Sequence, residues 1–140
     1  IQSYLASYPD VAAYLKDIVA EAHAKGYVTT LFGRRRYIPE ISGHNAMQRK
    51  FGERVAMNSP IQGSAADIVK IAMLGVSRRL AAEELDAKLI LQVHDELIVE
   101  ASKKDADRAA AILREEMEGA VKLSVPLTVD LSIGERWYGM

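Results

Sequence analysis

The 140 residues contain no cysteine, which excludes disulfides, thiolate zinc sites and cysteine nucleophiles and fits a reducing compartment. No apolar run approaches the ~20 residues of a membrane span, and no secretory signal pattern opens the chain. The three histidines, His23, His44 and His94, lie far apart and match no zinc spacing, which argues against a zinc hydrolase. No Gly-Lys-Ser/Thr phosphate loop, no Gly-x-Gly-x-x-Gly turn and no Gly-x-Ser-x-Gly elbow occurs. The P-loop, Rossmann and α/β-hydrolase readings therefore lose their main support. The single tryptophan, Trp137, is expected to be a packing anchor rather than a stacking platform.

What is present is an ordinary globular composition, 49% hydrophobic and 26% charged, in a chain of about one domain's length. Such a chain buries roughly two-thirds of its unfolded surface. It begins with Ile1, and its first residues read like the interior of a protein, so a fragment or processed piece is expected. Net charge is −1 but unevenly spread. Between Gly33 and Arg54 six bases (Arg34, Arg35, Arg36, Arg49, Lys50, Arg54) face two acids, whereas between Ala81 and Glu118 eleven acids face five bases. One region suits a polyanion and the other suits cations.

Helical spacing of Val11, Tyr14, Leu15, Ile18, Val19 and Ala22, with Pro9 near the first turn and Gly26 past the end, predicts a first helix. Tyr27 to Leu31, a turn at Phe32-Gly33, and Arg34 to Ile38 predict a small hairpin stopped by Pro39. Strand alternation puts Arg34 and Arg36 on one side of it and Arg35 on the other. Ile41 to Asn45 reads as polar linker, followed by a helix from about Ala46 to Met57. Asn58-Ser59-Pro60 interrupts that helix, with Ser59 capping a new one and Gln62 completing a capping box. The new helix runs to about Glu84 and is mostly buried along Ile61, Ala65, Ile68, Ala72 and Leu80, widened by Val69, Met73 and Val76. Its small run Gly63 to Ala66 invites close approach by another helix or a ligand backbone.

Leu89 to Glu100 is the organising stretch. Two short β-prone apolar runs flank His94-Asp95-Glu96, which predicts antiparallel strands meeting at a tight turn. Ser102 then caps a helix, with Asp105 at its third position, and Ala106, Ala109, Ala110, Leu113 and Met117 form the face that covers the sheet. Alternation from Leu127 to Ile133, after Pro126 and before Gly134, predicts a half-buried antiparallel strand. A helix-rich first half and a mixed second half indicate an α+β fold.

Two constellations carry chemistry. The acidic triplet interrupts a water-avoiding segment, and its charge requires a cation, hydrogen-bond donors or solvent; it reads as a divalent-cation site or as a solvated turn. Arg54 and Asn58 share a helix face, and Gln62 extends the stripe if the helix bends rather than breaks at Pro60. Arginine offers a planar fork to phosphates or base edges, and the amides donate and accept as minor-groove edges and sugars require. The plainer alternative is a solvated stripe with a capping Gln62. Tyr37 is either a stacking surface for a base or an ordinary strand aromatic. Together the two constellations suggest phosphodiester chemistry, although two-metal phosphoryl transfer needs a second strand with another aspartate.

The stretch Gln92-Val93-His94-Asp95-Glu96-Leu97 resembles the motif C hairpin of family A DNA polymerases, the bacterial DNA polymerase I type. Gly26 to Tyr37 resembles the family's fingers segment, Glu53 to Asp67 the helical segment entering the palm, and Pro126 to Trp137 the closing strand, so the resemblance covers essentially the whole chain in order. It implies an antiparallel palm sheet with a motif C hairpin packed by helices, in which residues 1–52 are partial fingers and 53–140 the C-terminal part of the palm. It implies Asp95 as a metal-ligating catalytic carboxylate, Glu96 as its neighbour near the primer end, and His94 against the primer strand. Arg54, Asn58 and Gln62 would contact template and primer in the minor groove, with Arg34, Arg35 and Arg36 as further DNA contacts. The implied reaction is attack of a primer 3′-hydroxyl on the α-phosphate of a deoxynucleoside triphosphate, with two Mg2+ ions in the complete enzyme.

The departure from the family pattern is the motif A strand and the triphosphate-gripping fingers helix, expected upstream of Ile1. Asp67 lies in a helix pattern and Asp130 on a different strand, so neither is an evident substitute. The isolated chain is therefore expected to be inactive and to need the upstream part of the same polymerase. Its location is expected to be cytoplasmic, at the bacterial nucleoid, and an exposed sheet edge could pair two copies into a homodimer. The rival reading is a non-catalytic DNA-binding module.

Overall fold

Pro9 cannot donate a backbone hydrogen bond, and the first position of a helix is where none is needed. In the computed structural model, which describes residues 6–137, helix α1 (Pro9–Lys25) starts there and stops at Gly26, whose left-handed φ of 75° closes it with an N–H bond to the Ala22 carbonyl. Only the later part of its predicted stripe is buried: Ile18 and Ala22 are in the core, whereas Val11 and Tyr14 are exposed. The chain reverses into β1 (Tyr27–Thr29) and β2 (Arg35–Tyr37), antiparallel with Val28 opposite Arg36.

After β2 the chain differs from a polar linker. Pro39–Ser42 forms a 3-10 turn, and Ile41 within it is 1% exposed. Ile38 and Ile41 close a core with Ile18, Ala22, Val28 and Ala56. An isolated isoleucine among polar residues has no periodicity to reveal it.

The predicted break at Asn58-Ser59-Pro60 does not occur. Helix α2 (Ala46–Ala82) runs unbroken with Pro60 inside it, starting where the Asn45 side chain accepts the Met47 N–H at 2.8 Å. An internal proline removes one helical hydrogen bond and costs ~3 kcal/mol or more. The helix continues through it, with Ala56 and Pro60 both buried on its packed side. Ser59 is thus not a cap. The buried side of this first half follows Gly52, Ala56, Pro60 and Ser64, while Ile61, expected inside, is 62% exposed, and Ala65 is exposed as well. Apolar identity misplaces only the start of the stripe, at Ile61 and Ala65.

The chain divides into two compact units, residues 1–65 and 66–140. In the second, Ala72, Val76 and Leu80 of α2 are buried. The helix ends at Ala82 rather than Glu84 because Glu84 adopts a left-handed φ of 52°, and Glu84 and Leu85 N–H groups return to the Ala81 and Leu80 carbonyls. Strands β3 (Ala87–Val93) and β4 (Glu96–Ala101) form an antiparallel hairpin, with a bulge at Ile90 between Leu89 and Leu91.

Helix α3 (Ala106–Glu118) begins three residues later than a Ser102 cap implies. Ser102 and Asp105 instead bracket a turn, and the Asp105 carboxylate accepts the Asp86 N–H at 2.9 Å. The face that packs is also rotated: Ala109 and Ile112 are buried, and Ile112, absent from the predicted face, is 0% exposed. With Val76 and Leu80 they cover Ala87, Val99 and Ala101 of the hairpin, so the fold is α+β, with an antiparallel sheet packed by helices. Two arginines lace α2 to α3: Arg79 meets Glu115 at 2.6 Å and Glu116 at 3.2 Å, and Arg108 grips Glu83 with two nitrogens at 2.6 and 2.7 Å.

Residues 126–133 form no strand ladder. The alternation is nevertheless visible, with Leu127, Val129 and Leu131 half-buried and Thr128, Asp130 and Ser132 exposed. Ile133 departs from it at 59% exposed, and Trp137, at 56%, is not a packing anchor. A strand needs a partner's backbone as well as a pattern; here the Val129 N–H donates to the Glu118 carboxylate at 3.0 Å.

Candidate nucleic-acid interface and acidic turn

Because α2 does not break, Arg54, Asn58 and Gln62 fall at successive four-residue steps on one side of a single helix. At 1.5 Å per residue the stripe is about 12 Å long. The β1–β2 hairpin lies alongside it, and together they enclose a cleft of about 510 Å³ lined by these three side chains, Arg34, Arg36, Phe51, Ser59 and the Thr29-Thr30 end of β1. The cleft is therefore amide- and guanidinium-rich, and all its charged lining residues are arginines. The Arg54 guanidinium lies 6.0 Å from the centre of the Phe51 ring, within cation–π range.

Arg35 does not join the cleft. It sits 4.7 Å over the Tyr27 ring, on the opposite side of the hairpin, as strand alternation requires. A hydrogen bond to the Tyr37 side chain is the main cause that raises the Arg35 pKa above its ordinary value. Tyr27 and Tyr37 meet edge-to-face with centroids 5.5 Å apart. Tyr37 is a strand aromatic in contact with its cross-strand partner and keeps an exposed side.

The acidic turn is the tip of the β3–β4 hairpin. Val93 pairs with Glu96, leaving His94-Asp95 as the two-residue connection. His94 takes a φ of 53°, a conformation that costs an L-residue roughly 1–2 kcal/mol. The Gln92 side-chain amide donates to the His94 carbonyl and folds over the turn. His94, Asp95 and Glu96 are all exposed, so the charge that made the triplet anomalous in the sequence is met by solvent at the turn. Two adjacent carboxylates are hard oxygen donors of the kind a magnesium ion accepts. Among the described residues they belong to no group of three or more metal-ligating side chains, so they fit part of a ligand set rather than a whole one.

The sequence reading missed Thr30 and Phe51 and gave Ser64 and Gln92 no role of their own, although the small run Gly63 to Ala66 marked a place of close approach. Phe51 was findable, since it lies one helical turn before Arg54; Thr30 and Ser64 take their roles only where the hairpin and helix meet, and Gln92 closes its own turn.

Comparison with known proteins gives the family. Residues 1–139 match the family model described as DNA polymerase family A. The chain is 56% identical over 138 residues to DNA polymerase I of Geobacillus stearothermophilus, and 53% over 138 residues to that of Bacillus subtilis (strain 168). In both cases the match takes in 99% of this chain and 16% of the relative, so the chain spans about one-sixth of their length. Among solved structures it resembles the POL domain of Pol1 from M. smegmatis, described as a complex with DNA primer-template and dNTP. The TM-score is 0.85 with 44% identity, over 89% of this chain and 22% of that one. The chain belongs to DNA polymerase family A.

Proposed function

We propose that the chain is the C-terminal palm, with part of the fingers, of a template-directed DNA polymerase, and that its arginine and amide cleft holds primer–template DNA. Residues 1–52 belong to the fingers and 53–140 to the palm in this reading. The observation that carries it is the unbroken stripe Arg54, Asn58 and Gln62 opposite Arg34 and Arg36 in one cleft. A length of about 12 Å corresponds to about three or four nucleotide steps along one strand. The minor groove presents acceptors at every base pair, so donors placed there bind any sequence, as an enzyme copying arbitrary templates requires. Arg34 and Arg36 supply charge for the phosphate backbone, and Arg35 adds to the basic surface on the other side of the hairpin.

The reaction in the complete enzyme joins a primer 3′-hydroxyl to the α-phosphate of a deoxynucleoside triphosphate, with release of pyrophosphate. Asp95 would hold one ligand position for magnesium, with Glu96 beside it near the primer end and His94 against the primer. Magnesium, when bound as a pair of ions, favours the deprotonated hydroxyl and neutralises charge on the leaving group. Asp95 and Glu96 supply only part of the carboxylates such a pair requires, so the 140 residues alone do not extend a primer. The upstream part of the same polymerase completes the site, and the setting is DNA replication and repair in the bacterial cytoplasm, at the nucleoid.

Titration of a primer–template duplex against the chain over a range of salt concentrations tests the cleft. Log affinity should fall linearly with log salt, with a slope of about −0.9 per phosphate contacted. An affinity indifferent to salt would refute the reading.

A further inference from the structure

The connection between β1 and β2 is tied to α2 by a set of bonds that DNA binding does not itself explain. The Leu31 N–H donates to the Ser64 hydroxyl at 2.9 Å, and that hydroxyl donates to the Pro60 carbonyl at 2.5 Å. Ser64 is 7% exposed. A serine inside a helix commonly bonds back to the carbonyl four residues earlier, but here the same oxygen also receives a backbone donor from outside the helix.

On the hairpin side Thr30 is fixed just as firmly. Its hydroxyl accepts the N–H groups of Phe32 at 3.2 Å and Arg34 at 3.3 Å, and its rotamer is thereby set. The methyl then faces Gly63, where an added Cβ would come within 2.7 Å of it. Arg34 closes the join by donating to the Gly63 carbonyl at 3.2 Å. Thus Thr30, Gly63 and Ser64 set both the height and the distance of the hairpin on the helix, within one turn of Gln62.

We propose that Ser64 is a positioning residue for DNA binding, acting through Leu31 and Thr30 to hold Arg34 and Arg36 on the same cleft as Asn58 and Gln62. The inference rests on the reading of the cleft as a duplex site. Without the Ser64 hydroxyl the Leu31 N–H loses its acceptor, the hairpin lifts, and Arg34 and Arg36 leave the cleft while Arg54, Asn58 and Gln62 stay on their helix. Gly63 contributes the missing volume that lets Thr30 approach.

The test is fluorescence anisotropy of a primer–template duplex with the full chain across salt concentrations. Ser64→Ala should weaken binding about tenfold and flatten the salt slope by about 1.8, two phosphate contacts. Ser64→Thr, which keeps the hydroxyl, should restore both. Gly63→Ala should reproduce the loss even though alanine favours a helix by ~1 kcal/mol over glycine, and Arg36→Ala should add nothing further to Ser64→Ala. An unchanged slope in Ser64→Ala, or full additivity with Arg36→Ala, would overturn the inference. If circular dichroism shows Ser64→Ala unfolded, Gly63→Ala decides, and normal binding by it overturns the inference. A wild-type chain without salt-dependent duplex binding overturns the cleft reading and this inference together, whereas wild-type binding with indifferent variants overturns this inference alone.

Discussion

Ile112 should be the costliest single truncation on helix α3. It is 0% exposed and lies in a cluster with Val76, Leu80 and Ala109, packed against the hairpin that carries Asp95. Ile112→Ala removes three carbons, a transfer loss of about 2.4 kcal/mol at ~0.8 kcal/mol per carbon. Partial collapse around the vacated space adds to this, for a total of roughly 3–4 kcal/mol. Ile112→Val removes one carbon and should cost about 1 kcal/mol. Leu113 and Met117 are only half-buried and should each lose less when cut to alanine. Urea denaturation followed by far-UV circular dichroism measures all four variants. The reasoning fails if Met117→Ala or Leu113→Ala costs more than Ile112→Ala, because the helix would then present the face that its sequence pattern suggested.

Glu84→Gly should raise stability by roughly 0.5–1 kcal/mol, since glycine takes the left-handed φ of 52° without the penalty paid by a side chain and keeps both closing bonds; the midpoint of thermal unfolding reads it. The Glu83 carboxyl, held below its ordinary pKa chiefly by the hydrogen bonds from Arg108, contributes stability that is complete above the unfolded-state value and is lost as pH falls through the lowered one. Glu83→Gln should therefore flatten the decline in melting temperature between about pH 5 and pH 3, and an unaltered profile would remove Glu83 from the acid response. Arg54→Ala should weaken duplex binding and flatten its salt slope, with Arg54→Lys recovering the slope better than the affinity because lysine lacks the planar fork. Pairing of two copies through a free sheet edge would appear in light scattering as a mass that rises with concentration, and a constant monomer mass would rule it out.

Local chemistry made much of this molecule legible in advance. Pro9 and Gly26 bracket α1, Gly33 serves the first turn, and the polar triplet between two apolar β-prone runs marks the central hairpin, because each signal acts within a few residues. The arginine alternation and the Arg54–Asn58–Gln62 stripe were readable for the same reason. What misled was the weight given to local rules where tertiary packing prevails. Pro60 reads as a break, but the helix continues through it with Ala56 and Pro60 buried. The apolar pattern of α2 holds at Ala72, Val76 and Leu80, but in the first half of the helix Gly52, Ala56 and Ser64 are buried and Ile61 faces water. Residues 126–133 carry a strand's alternation without a strand's ladder, because pairing is a property of two segments. The small run Gly63 to Ala66 marks a place of close approach, but what approaches it is not legible locally, since the Leu31 N–H that reaches Ser64 lies 33 positions away.

The most direct test replaces the matching segment of Geobacillus stearothermophilus DNA polymerase I, 56% identical, with this chain and measures primer extension with magnesium. The account predicts an active chimera whose activity Asp95→Ala abolishes, while duplex affinity persists. A chimera that extends primers at an undiminished rate with Asp95→Ala would contradict the assignment of the hairpin turn to the catalytic site.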